Sequence, residues 1–271
     1  MRALRVTRGA WARAVGLAGG RVDAGAAVVD GTGADEAVLA ELREHGIADE
    51  TGVLTAAWAA ALRDHLAAPV RATLRARSGE TGATTRLTLV EDRVLLVHDA
   101  VRGELGSREL EVTDVSAHVD VVLVRVDDLW PALVRLLPPS EPLTAGARPG
   151  PRPADLPRTV LGSRDVERLR AGEDLAALPA AARAVAEDEE ASLVVLVEAW
   201  PTPATPTVVW SRWWSVAGGR LLDVQLRDDD VHLVERPPGS VAAELRWALV
   251  GAVDTTAPVA DGSATTTGGA R

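Results

Sequence analysis

In several short stretches of the chain hydrophobic and polar residues alternate, and each series of these stretches ends in a segment whose apolar residues return at helical spacing. The arrangement occurs twice. In the first series 70–77, 84–91, 93–100 and 119–126 read as strands, and Asp127-Asp128 leads into a helix over 129–137. In the second, 192–200, 208–216, 221–226 and 231–235 read as strands, and Pro237-Pro238-Gly239-Ser240 leads into a helix over 241–253. The copies share layout more than residue identity. Their repetition predicts a single domain over 1–253, with two similar strand-and-helix halves around one antiparallel sheet.

Helical patterns precede each series. Asp35 offers an N-cap to a helix with Val38, Leu39 and Leu42 on one face, preceded by a Gly-rich loop over 28–33, and Gly46 ends it with Ile47 just beyond. Thr55 can cap a second helix in which Trp58, Leu62 and Leu66 recur four apart, and Pro69 follows where that helix must stop. Before the second series Ser163 caps a short helix carrying Val166 and Leu169, and Pro179 stands in the first turn of another, 180–189. Residues 138–157 hold seven of the sixteen prolines, a composition that continues neither helix nor sheet. Residues 138–158 therefore read as an exposed crossover between the halves 1–137 and 159–253. The Thr, Gly, Ala and Ser of 254–271 offer almost nothing to bury and predict a disordered tail.

Composition acts mainly by exclusion. The 271 residues, 47% of them hydrophobic, suffice for a sizeable core. Lys, Asn, Phe, Tyr and Cys are absent, and Ile47 and Gln225 are the only residues of their types. That pattern fits GC-rich coding and leaves the aromatic load to eight tryptophans. Without cysteine there is no disulfide framework, thiolate nucleophile or Cys-based zinc site. The net charge of -10 and the acidic runs 187–190 and 228–230 oppose binding to a phosphate backbone. Arg71, Arg75 and Arg77 fall at alternating strand positions that suit a solvated face. No stretch approaches the roughly 20 apolar residues of a transmembrane helix, and 1–20 carry Arg2, Arg5, Arg8 and Arg13 without an uninterrupted apolar run. The expectation is a soluble cytoplasmic protein that binds neither nucleic acid nor membrane.

No catalytic cluster emerges. None of the five histidines falls in an H-x-x-x-H or H-E-x-x-H pattern. His118 and Asp120 share a strand face, but no third ligand accompanies them and no metal is assigned. Asp127-Asp128 reads as an N-cap with a first-turn carboxylate, and 228–230 and Gly218-Gly219-Arg220 as hairpin turns. Asp30-Gly31-Thr32-Gly33 lacks nucleotide-binding spacing, and no G-x-S-x-G nucleophile is present, so neither a catalytic residue nor a cofactor is assigned. One side chain stands out. In 208–216, Val208, Trp210, Arg212, Trp214 and Val216 share one face, while Trp213 lies on the other with Val209, Ser211 and Ser215. Trp213 either lies under helices on a doubly covered sheet or is a partly exposed anchor for a partner, where a tryptophan supplies about 2 kcal/mol or more.

Six short segments, in order, cover most of 4–253. They are Leu4-Arg5-Val6-Thr7 with Trp11 and Leu17 behind it, Leu42-Arg43-Glu44-His45-Gly46-Ile47, and Glu50-Thr51-Gly52-Val53-Leu54 with a helix ending at Pro69-Val70. Then follow Leu133-Val134-Arg135-Leu136-Leu137-Pro138-Pro139, Gly219-Arg220-Leu221-Leu222, and Val231-His232-Leu233 with the closing helix. In this order the chain resembles the EspG-type chaperones of ESX (type VII) secretion systems, a family of GC-rich actinobacteria. The resemblance implies an α+β fold with a central antiparallel sheet and two helical subdomains related by a quasi-twofold. It further implies a cytosolic, non-enzymatic chaperone that binds the hydrophobic helical tip of a secretion substrate of PE-PPE or WXG type. By position, the substrate contacts would come from the hairpin Ser78, Gly79, Glu80, Thr81, Gly82 and Ala83 and from the closing helix with Leu245, Trp247 and Leu249. A general interaction or scaffold protein with an unrelated partner is the competing expectation. An enzyme or small-ligand protein would need a convergent polar cluster in a cavity, whereas the Asp and His residues are scattered over turns and caps.

Overall fold

Alternating burial along the strands places ten of them, among the described residues, in one fully antiparallel sheet. The computed structural model describes residues 2–19, 32–105, 110–148, 155–202, 205–228 and 230–256. The first half runs β1 (Arg2–Thr7), α1 (Arg8–Leu17), α2 (Thr32–Glu44), α3 (Ala56–Leu66), β2 (Val70–Ser78), β3 (Thr81–Val90), β4 (Arg93–Leu105) and β5 (Leu110–Arg125). A 3₁₀ turn, Val126–Asp128, then leads into α4 (Leu129–Val134), and α5 (Glu141–Thr144) follows. The second half runs β6 (Arg158–Leu161), α6 (Ser163–Ala171), α7 (Ala180–Glu187), β7 (Glu189–Thr202), β8 (Thr205–Ala217), β9 (Arg220–Arg227), β10 (Asp230–Arg236) and α8 (Ser240–Thr256). The strand order, β1-β5-β4-β3-β2-β7-β8-β9-β10-β6, reads alike outward from the central β2–β7 pair. Each half contributes a four-strand meander, an edge strand and a helix after its last meander strand.

The two faces are covered differently. On one, α4, α5 and α8 pack over Val70, Leu74, Leu96, Leu193, Val195 and Trp214. On the other, α1–α3 cover Val119, Val121 and Leu95 toward the β1 edge, and α6 and α7 cover Leu161 and Leu233 toward the β6 edge. Helix α8 is also held by charge. Arg236 reaches Glu244 at 2.7 Å and the fully buried Asp223 at 3.1 Å, and Arg212 approaches Glu244 at 3.4 Å. Burial pushes the Glu244 carboxyl up despite Arg236. Gly239, at φ 93°, admits α8 at its start, because a Cβ there would lie 2.4 Å from the Gly146 carbonyl oxygen.

Several boundaries differ from the sequence expectation. Helix α2 begins by Thr32, so Asp35 is a first-turn carboxylate rather than the N-cap, and 28–31 lie outside the described residues. Gly162 caps α6 in place of Ser163. Helix α7 stops at Glu187, because Glu189 and Glu190 are drawn into β7 by partners: Glu189 pairs with Arg77 and accepts a bond from Ser215 Oγ at 2.8 Å. Glu190 accepts from the Gly219 amide at 2.7 Å. The crossover is not wholly exposed. It contains α5, where Pro142 fits the first turn and Leu143 is fully buried. Asp127 and Asp128 enter the 3₁₀ turn without a side-chain capping bond. Helix α8 extends to Thr256, past the expected start of the tail, and 257–271 lie outside the described residues.

His65 on α3 seals the first helical subdomain against β3, with Nδ1 2.8 Å from Thr88 Oγ1. Burial, with Arg93 adding to it, lowers its pKa from 6.5 to about 4. A folded-state pKa depressed in this way means that the stabilising contribution is complete above pH 6.5 and declines as acid protonates the unfolded chain first. His65→Gln should therefore lose less Tm than the wild type between pH 6.5 and pH 4, as read by circular dichroism melting. Equal losses in both proteins would show that His65 is not linked to the acid response.

Candidate functional site

Strand register defines a row of side chains that crosses all ten strands on the face shared by α1–α3 and α6–α7. It runs Val6, Val119, Asp99, Thr84, Arg75, Val194, Trp213, Val224, Leu233 and Thr159, each directly paired with the next. Toward the ends the row is covered: Val6 is 0%, Val119 3% and Leu233 4% exposed. In the middle it is open, with Val194 at 40%, Trp213 at 42%, and Arg75 also exposed. The two helical subdomains thus stand on either side of a bare strip of sheet.

The strip changes character at the β2–β7 seam. On the β2 side lie Arg75, Thr84 and Arg86, the last paired with Asp99 at 2.9 Å. Arg8 at the start of α1 meets the other Asp99 oxygen at 3.0 Å, which fixes the subdomain to the rim of the strip. Arg75 forms no ion pair among the described residues. On the β7 side lie Val194, Trp213 and the half-buried Leu196 and Val224. A free guanidinium beside an exposed indole and valine can hold an apolar ridge and an adjacent carboxylate of another protein.

Each residue named from sequence can now be placed. Trp213 is the exposed alternative of its two readings, whereas its neighbour Trp214 is fully buried on the other face. The expected loop is in fact a two-residue turn, Gly79 and Glu80, because Gly79 adopts φ 53° and lets Ser78 pair with Thr81. Thr81, Gly82 and Ala83 belong to β3, where they also pair with β4, and Ser78 Oγ donates to the Glu190 carbonyl at 3.0 Å. The tip therefore offers Gly79 and Glu80 rather than six free residues. On α8, Leu245 and Leu249 are 2% and 4% exposed and turn toward the sheet, while Trp247 is 70% exposed. Since α8 lies on the opposite face, Trp247 and Trp213 do not form one patch. Of the three arginines expected on a solvated face, Arg71 lies 4.3 Å over the Trp200 ring and bonds the Leu66 and Ala68 carbonyls, and Arg77 pairs with Glu189; only Arg75 is exposed. Sequence reasoning missed Val194, because 193–197 are all apolar and no alternation marks which face is open.

His65 and His98 serve packing. His98 shares a bond of 2.9 Å with Thr85 Oγ1 and its pKa is lowered by burial, and His65 is bonded to Thr88. Among the described residues no three His, Asp or Glu side chains converge as metal ligands. No helix is long and apolar enough to cross a membrane among those residues.

The same architecture is found in a solved structure, the type VII secretion system chaperone EspG5 of Mycobacterium tuberculosis in complex with a PE25-PPE41 dimer. The match covers 93% of this chain and 96% of that one, with a TM-score of 0.58 and 11% sequence identity. The chain has the EspG fold. No protein-family model and no curated protein matches the sequence. The EspG fold is thus reached through strand order and helix placement, with few identical residues.

Trp213→Ala and Trp214→Ala separate surface from core. Trp214→Ala should cost about 3–5 kcal/mol in urea unfolding, as for a buried aromatic. Trp213→Ala should stay within about 1 kcal/mol of the wild type, and a loss as large as that of Trp214→Ala would place Trp213 in the core.

Proposed function

We propose that this protein is a cytosolic, non-enzymatic chaperone or adaptor that caps the hydrophobic helical tip of a type VII secretion substrate of PE-PPE or WXG type. The single observation that supports this most is the open centre of the cross-sheet row, where Arg75, Val194 and Trp213 remain bare while both ends are buried. The EspG fold gives that strip a context, since EspG5 was solved in complex with a PE25-PPE41 dimer. A helical tip with an apolar ridge would aggregate if left in water, and docking it on a preformed apolar strip removes that surface at little reorganisation cost. Gly79 and Glu80 form the tip of the β2–β3 hairpin whose first strand carries Arg75. The carboxylate of the row, Asp99, is paired with Arg8 and Arg86, and among the described residues no acid, base and nucleophile converge on the strip, which favours association over turnover.

Capture of partners from the native cytosol by the tagged protein, with mass spectrometry of what co-purifies, tests the reading. A stoichiometric PE-PPE-like or WXG-like helical pair is the expected catch. With that pair in hand, Trp213→Ala should weaken binding by about thirtyfold and Val194→Arg should abolish capture, with Tm preserved. Capture of an unrelated protein in cells that express the secretion system would instead identify a general interaction domain.

A further inference from the structure

The face of the sheet opposite Trp213 carries a second open surface. Between the C-terminal half of α8 and the entry to α4 lies a groove of about 410 Å³ with Leu89, Trp130, Leu245 and Leu249 in its floor and Val250 and Val253 on its α8 wall. Val250 and Val253 are 55% and 43% exposed, and Trp247, one turn earlier, continues the apolar stripe of α8 into solvent. Single exposed apolar residues are ordinary, but a stripe running beside an apolar groove is a surface that water covers poorly.

The rim identifies what fits. Glu91, Asp127 and Asp254 line the groove against one cation, Arg246. None of the three carboxylates forms an ion pair among the described residues, and all three are exposed. We propose that this groove docks a basic amphipathic helix of a second partner protein. Apolar residues of that helix would fill the floor, and Arg or Lys side chains flanking them would meet Glu91, Asp127 and Asp254. Among the described residues a second copy of this chain supplies no such helix: α6 carries Arg164, Arg168 and Arg170, but Val166 and Leu169 pack into its own core and Arg168 is paired with Asp165. The groove is acidic where the strip on the other face is cationic, so the two surfaces select partners of opposite charge and both can be filled at once. The inference stands independently of the nature of the cargo.

The test uses two synthetic amphipathic peptides of about 14 residues, close to four helical turns, with the same leucine stripe and either Arg or Glu at the remaining positions. Their binding to the full chain is measured by fluorescence anisotropy. The Arg peptide should bind at least about tenfold more tightly than the Glu peptide, with affinity falling as salt is raised. Val250→Arg and Val253→Arg, both at exposed positions, should keep the wild-type Tm and weaken the Arg peptide by about tenfold. Trp213→Ala and a chain ending at Thr256 should bind it as the wild type does. Equal binding of the two peptides would overturn the proposal, as would Arg variants that fold and bind normally. Loss of binding in Trp213→Ala would place the peptide on the other face. Tighter binding after truncation at Thr256 would make the chain's own tail the occupant, and a dimer dissolved by Val250→Arg would make it a second copy.

Discussion

The antiparallel pairing of β2 with β7 is the constraint on which the rest depends. Val70, Ala72 and Leu74 on one strand and Leu193, Val195, Val197 and Ala199 on the other are all within 1% of complete burial, and α8 lies across them. This seam turns two five-strand units into one sheet, which among the described residues has its edges at β1 and β6. It also aligns the rows of side chains that cross the molecule. A shift of one residue at β2–β7 would exchange the two faces of an entire half, placing Val194 and Trp213 under α8 and Leu193 and Trp214 in water.

Given that seam, the helices determine what is left open. The helical subdomains are built over opposite ends of the same face, because each follows an edge strand and must pack on the sheet next to it. Their separation leaves the middle of that face bare. On the opposite face α4 and α8 enter from strands nearer the centre, and the long α8 spans the seam itself. The buried Asp223, with the half-buried Arg236 and Glu244, fixes where α8 lies and so fixes the groove beside it.

Much of this architecture was legible in the sequence because strands and helices leave periodic marks. The doubled series, the hairpin glycines at Gly218 and Gly219, and the split of Trp213 from Trp214 all follow from a period of two or from positive φ. What periodicity could not carry was pairing between distant segments. Glu189 looked like the end of an acidic helix until Arg77 and Ser215, remote in sequence, drew it into a strand. Leu245 and Leu249 looked like surface anchors because the expected substrate contact was transferred by position to a whole helix, whereas the helical period turns those two inward and leaves Trp247 out. The hairpin seemed longer than it is because Gly82 and Ala83 have weak strand propensity by themselves, whereas Thr81, Gly82 and Ala83 are held by pairing on both sides.

A scaffold made of two equivalent halves has an inherent ambiguity, since anything that fits its centre could be turned by half a revolution and fit again. The divergence of the halves removes that degeneracy. With Arg75, Thr84 and Asp99 on one side of the seam and Val194, Trp213 and Val224 on the other, the central strip has a head and a tail. A partner laid across it would meet charge at one end and an indole at the other, so the floor of the sheet has a polarity while the frame around it stays symmetric.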